Sequence, residues 1–271
     1  MKKQIINYTL IFLAILLLGV IPLARADVQI FTSDTPTGHS FKSKLETALR
    51  NSEEFTTKTT EQIVVTMGYQ AYLEHRSLEN IVLVAAFITR DQFNSFPPVS
   101  KNAYVIYSDP PAEKINQAIS KYLPNRTVGY FGHSSELLLQ DLISDSSRYR
   151  PYRYIEGDLY RSFSNMYSKN PPNAFLVTEN REIYNRDSIL YVLESLYRNR
   201  IPVVSTNKAL IGKGSLLTIY ISNDEILSSL IETIRRYRKK DPSLNTENFA
   251  EPTIVFDENL AKKVGVVGGD L

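Results

Sequence analysis

The sequence predicts an α/β protein of two similar lobes, each a parallel sheet covered by helices, joined by more than one crossing of the chain. Three observations carry this. Short apolar runs alternate with stretches of helical periodicity along most of the chain, the pattern of parallel strands with helices on both sheet faces. The alternation completes one series by Tyr107 and begins a second of similar size at Asp109. A chain of 271 residues is long enough for a full core, as one large domain or as two lobes.

In the first series, Val28–Phe31 reads as a strand ending in the polar loop Thr32–Gly38, with Phe41, Leu45, Ala48 and Leu49 at helical spacing behind it. Gln62–Thr66 is a second strand, followed by a helix through Ala71 and Leu73. Ile81–Phe87 is an apolar run suited to a central strand, and Tyr104–Tyr107 is the fourth. Asp109-Pro110 then opens a helix, with Asp109 as N-cap and proline in the first turn.

The second series runs through strands at Val128–Phe131 and Arg153–Ile155, with helices at 137–143 and 159–167. Asn173–Ser222 is its clearest unit. Ala174–Val177 suits a strand buried on both faces. Ile189, Val192, Leu193, Leu196 and Tyr197 share one helix face, with Asn185 placed to cap it and Pro202 to end it. Val203–Ser205 begins the next strand of this βαβ unit. Ser222 and Glu225 form a capping-box pattern before a long helix whose end carries Arg235, Arg236, Arg238, Lys239 and Lys240. A last strand, Thr253–Phe256, precedes a short helix.

These elements divide the chain into a leader at 1–26, a first lobe of 27–108 that regains the chain at about 213–240, and a second lobe of 109–212. The segment 241–271 belongs to either lobe. The leader reads as a secretory signal: Lys2 and Lys3 form a basic start, Tyr8–Ile21 is apolar, and Ala24-Arg25-Ala26 supplies the small residues for cleavage after Ala26. An uncleaved anchor is the alternative, although Ile5–Leu23 is barely long enough to span a bilayer. Removing Lys2, Lys3 and Arg25 from the 31 basic residues leaves 28 against 29 acidic ones. A near-neutral mature chain gives no support for a polyanionic partner such as nucleic acid. The absence of cysteine excludes disulfides, thiolate metal sites, a cysteine nucleophile and an N-terminal lipid-modified cysteine.

The order and spacing of two motifs carry a resemblance. YNRDSI, a helix, and RIPVVSTNKALIGKGSLLTIYIS make one; Tyr104–Pro111 (YVIYSDPP), followed by a helix and TVGYFGH, make the other. Together they resemble the ABC-transporter substrate-binding family of bacteria, over most of the chain after residue 27. The loop Thr178–Tyr184 departs from the commoner members. The resemblance implies a type I periplasmic-binding-protein fold with Rossmann-like lobes. It also implies a periplasmic, monomeric protein that holds a small solute, in a family that includes amino-acid binders, and presents it to an ABC permease. No catalysis and no cofactor are implied. A binding or sensory module of the same fold that serves a receptor or export system is the alternative, and a secreted α/β enzyme the third reading.

Motifs for other chemistry are weak. His39, His75 and His133 are far apart and lack metal-ligand spacing. Gly212-Lys213-Gly214 is not a phosphate loop, and Gly132-His133-Ser134-Ser135 lacks the second glycine of a nucleophile elbow. The Tyr- and Arg-rich stretch 148–167 coincides with a strand and a helix whose aromatics have a core to fill. What remains are the loops at the carboxyl ends of the strands, where open α/β sheets bind ligands. If the two sheets face each other by these ends, Ser33, Thr89 and Asp109 lie opposite Ser134, Glu179 and Asn207. Ser33 and Ser134 precede helices whose amides suit an anion, and Asp109 or Glu179 suits an ammonium group.

Overall fold

A computed structural model describes residues 28–51, 61–132, 136–145 and 147–266. The leader therefore lies outside the described residues. Two sheets form, and most of their interior strands fall on continuous apolar runs, whereas the edge strands β6 and β10 do not. The first lobe holds β1 (Val28–Thr32), α1 (Pro36–Arg50), β2 (Ile63–Met67), α2 (Tyr69–His75), β3 (Val82–Ile88), α3 (Arg90–Ser95) and β4 (Asn102–Tyr107). After α4 (Ala112–Tyr122) come β5 (Val128–Phe131), α5 (Leu137–Asp145), β6 (Tyr149–Tyr152), α6 (Leu159–Lys169), β7 (Ala174–Val177), α7 (Ile189–Arg198) and β8 (Val203–Ser205). A 3-10 turn at Lys208–Leu210 leads into β9 (Ser215–Tyr220). The chain closes with α8 (Asn223–Arg238), β10 (Glu247–Phe249), β11 (Thr253–Phe256) and α9 (Glu258–Val264).

The first sheet runs β1-β2-β3-β4-β10 and the second β11-β9-β8-β7-β5-β6. All pairings are parallel except β11 with β9. The chain crosses between lobes at 108–111, 221–222 and 250–252. The return crossing thus follows Tyr220 instead of residue 213, because Ser215, Leu217 and Thr218 pair with β8 and carry the chain on in the second sheet. The segment after 241 is shared: β10 joins the first sheet, β11 and α9 the second.

In the second lobe α4, α5 and α9 cover one face, and α6 and α7 the other. The strand order reverses at β5, as right-handed crossovers require. The first lobe has no described counterpart of β6, so β1 is an edge strand. There α1 and α8 share one face while α2 and α3 cover the other.

Burial explains the strand choice. Every residue of β2, β5 and β7 is buried, which requires cover on both faces, and Thr66 is the one polar side chain among them. Aromatics fill the second lobe: the Phe131 ring meets Phe163 and Phe175 edge-on at 5.1 Å each, contacts worth about 0.5–1.5 kcal/mol beyond area burial.

Two expected elements shift. The strand expected at Arg153–Ile155 forms instead at Tyr149–Tyr152 and contains Pro151. Proline has no N–H for a ladder, and the sheet tolerates it here because β6 is an edge strand paired with β5 alone. Asp109 does not cap α4; Pro111 occupies the N-cap position with φ −66°, and Ala112 starts the helix. Ser222 does cap α8, accepting the backbone N–H of Glu225 at 3.1 Å.

Candidate functional site between the lobes

Register brings the strand ends into two rims. On the first lobe Thr32 pairs with Met67 and Met67 with Ala86, so Ser33, Gly68 and Phe87 follow side by side. On the second lobe Val177 pairs with Ser205, which sets Glu179 and Asn207 on adjacent strand ends.

On the first rim, Thr35 caps α1 by accepting the Gly38 N–H at 3.1 Å. Ser33 is half-buried beside it, and its carbonyl takes the Thr35 N–H at 2.8 Å. Thr89 caps α3 in a full capping box: its hydroxyl accepts from Gln92 N at 3.2 Å, and its own N–H reaches Gln92 Oε1 at 3.0 Å. Asp109 is tied to the same turn, because its Oδ1 accepts the Arg90 backbone N–H at 3.0 Å. Thr89 and Asp109 therefore belong to one cluster, while Ser33 sits at the edge strand of the same rim.

Phe87 was not expected in the site. A bulge between Ala86 and Ile88 leaves it at φ 60°, and its ring packs 4.9 Å from that of Phe41. A bulky residue in the left-handed region is strained by about 1–3 kcal/mol, and such strain concentrates at binding rims. Nothing in an apolar run such as Ile81–Phe87 signals a bulge.

On the second rim, Asn207 accepts from Ala209 N at 2.9 Å and so caps the 3-10 turn. Asn180 donates to Glu136 Oε1 at 2.8 Å, joining the loop after β7 to the one after β5. Tyr184 is buried, and its hydroxyl donates to the Phe131 carbonyl at 3.1 Å, locking the end of β5. Glu179 is exposed to solvent, yet desolvation by surrounding protein raises its carboxyl above the usual range, against the pull of Arg181 and Lys208. Ser134 lies outside the described residues.

Between the lobes, a cavity of about 330 Å³ is lined by Arg90, Asp109, Pro111, Leu138, Asp141 and Phe249 among others. It offers both polarities. Burial raises Asp109 from 3.8 to about 6, although hydrogen bonds from the Arg90 backbone N–H and its own pull it down. Arg90 Nε is buried with no hydrogen-bond partner among the described residues. Such a wall can accept a proton donor and donate to an acceptor from one small molecule. Among the described residues no group of three His, Asp or Glu side chains is arranged to hold a metal ion. No described helix is long and apolar enough to cross a membrane.

No protein-family model and no curated protein matches this chain. Solved structures do match it. The ligand-free, open structure of a substrate-binding protein with adhesive properties from Clostridium difficile has a TM-score of 0.64 at 13% identity, covering 90% of this chain and 96% of that one. A Streptococcus pneumonia ABC domain in complex with L-Trp has a TM-score of 0.55 at 12% identity, covering 90% and 96%. A mutant XylFII–LytSN complex has 0.53 at 12%, covering 86% and 98%. The neighbours are substrate-binding proteins of the type I periplasmic binding protein fold, and this chain has that fold, as its sequence resemblance implied.

Proposed function

We propose that this chain is an exported solute-binding protein that holds one small polar solute between its lobes without transforming it. The observation that carries the reading is the cavity at the crossings, whose walls come from both lobes and bring together Asp109, Arg90 and Asp141. A ligand there contacts both lobes only when they are closed, so binding shifts the open–closed population. The donor and acceptor on the wall, with Glu179 between Arg181 and Lys208, favour a zwitterionic, amino-acid-like solute. The structural neighbour solved with L-Trp supports that class. The leader favours the periplasm, and delivery to an ABC permease is the role we assign.

The neighbour solved as a XylFII–LytSN complex supports a second reading, a module reporting to a partner protein. Native mass spectrometry of protein purified from the periplasm, followed by calorimetry with the released compound and a panel of amino acids, tests the binding role. A retained small molecule that rebinds at micromolar concentration is the expected result. A protein that carries nothing and binds none of the panel would overturn the amino-acid assignment. Co-purification of a permease or of a sensor protein separates the two partner readings.

A further inference from the structure

The cavity at the first crossing is unevenly charged. Among the described residues that line it are three carboxylates, Asp109, Glu113 and Asp141, and one cation, Arg90. Arg90 is already engaged, because its Nη2 lies 2.5 Å from Asp141 Oδ2. That pair is neutral as a whole and leaves Asp109 and Glu113 over. Asp109 accepts the Arg90 backbone N–H at 3.0 Å, and Glu113 accepts the Gln117 side-chain amide at 2.8 Å. Both donors are uncharged. Lys114, beside Glu113 in α4, is held by Glu251 at 2.8 Å.

The two remaining acids differ in what explains them. Glu113 is exposed in the first turn of α4, where the helix dipole favours an acid. Asp109 lies outside the helix and is half-buried. Burial raises its carboxyl, and Asp91 adds to the rise against the pull of Arg90. A carboxylate so placed gains from any further cation that reaches it. The other walls suit the chain that would carry that cation. Pro110, Pro111, Leu138 and Phe249 are apolar, and the Phe249 ring is exposed, so it can cover methylenes or face a positive charge.

We propose that this cavity takes the cationic end of the solute, which makes the ligand an amino-acid-like compound with a basic, aliphatic side chain. A neutral zwitterion would leave the acidic excess of the cavity uncompensated, and an acidic solute would add to it. This rests on the binding role proposed above and narrows it to one charge class.

Calorimetry near neutral pH with L-lysine, its neutral analogue L-norleucine, L-glutamate and the diamine cadaverine separates the two. L-Lysine should bind about tenfold or more tightly than L-norleucine, the value of one hydrogen bond between charged groups, and L-glutamate should not bind. In Asp109→Asn/Glu113→Gln the preference for L-lysine over L-norleucine should fall to within about twofold. Asp141 is left in place there because it holds Arg90. If the double variant lacks a melting transition, Glu113→Gln alone carries the comparison and should lower the preference. L-Norleucine or L-glutamate binding as well as L-lysine overturns the charge class and leaves the amino-acid reading standing. Cadaverine binding without L-lysine keeps the charge class and overturns the amino-acid reading. Binding by none of the four overturns both, and a folded double variant that keeps the full preference overturns the assignment to this cavity.

Discussion

Asp109 Oδ1 lies 3.0 Å from the backbone nitrogen of Arg90. The carboxylate that precedes the first crossing is thereby committed to the neighbouring strand end, not to the helix that follows it. Pro111 takes the N-cap position with an extended backbone, and no side chain caps the helix, so the helix makes no claim on Asp109. Asp109 is left free to bridge β4 and α3 at the mouth of the interlobe cavity.

The first prediction follows from the environment of that carboxyl. Its pKa is raised from 3.8 to about 6, chiefly by burial. Between these values the folded state holds more protons than the unfolded one, so its contribution to stability falls as pH rises through this window and stays low above it. The ionised form is disfavoured by on the order of 2–3 kcal/mol. Asp109→Asn keeps an oxygen for the Arg90 N–H and removes the charge. Its melting temperature should match the parent near pH 3.5 and exceed it at pH 7, by about 2–4 °C per kcal/mol. Parallel melting curves over pH 3.5–8 read the difference; a gap independent of pH would show that the charge is not the cause.

The elements were largely legible because continuous apolar runs such as Ala174–Val177 can be buried on both faces only as interior strands. The exceptions have local causes. Pro151 argues against a strand in any sequence reading, and only the edge position of β6 permits it. Ser215–Tyr220 reads as a strand in either lobe, so its sheet is decided by pairing with β8. Of the site residues, Thr89 and Asp109 are brought into one cluster and Glu179 and Asn207 onto adjacent strand ends. The Arg90–Asp141 pair joins residues 51 positions apart, and no periodicity or spacing encodes such a contact.

Gly38 in the first turn of α1 tests the shape of the first rim. A Cβ built there would stand 2.5 Å from both the Ser33 carbonyl oxygen and Thr32 Oγ1. The carbonyl is backbone and cannot rotate away. Gly38→Ala should therefore destabilise the protein by about 1–3 kcal/mol despite alanine's better helix propensity. Urea titration gives the value; a neutral or stabilised variant would mean that the loop after β1 yields freely.

The leader makes a separate prediction. The pattern Ala24-Arg25-Ala26 predicts cleavage after Ala26. N-terminal sequencing of protein recovered from the periplasm should begin at Asp27. Recovery of the intact leader in the membrane fraction would replace export with anchoring.

Glu179 gives the prediction closest to binding. It follows the fully buried strand β7 and is itself accessible. Desolvation raises its carboxyl, while Arg181 and Lys208 stand near enough to oppose the rise. No part of the core rests on it, so truncation removes little packing. A ligand ammonium or hydroxyl that seals the wall would convert this partly desolvated carboxylate into a buried, charge-assisted contact. Removing one partner of such a contact costs about 2–5 kcal/mol, roughly 30-fold or more in affinity. Glu179→Ala should therefore melt within about 1–2 °C of the parent when ligand-free, as surface changes usually do. It should also bind the solute identified by native mass spectrometry at least about 30-fold more weakly. Calorimetry on both proteins decides the matter. Equal affinities would take Glu179 out of the site and leave Asp109 and Arg90 to orient the ligand.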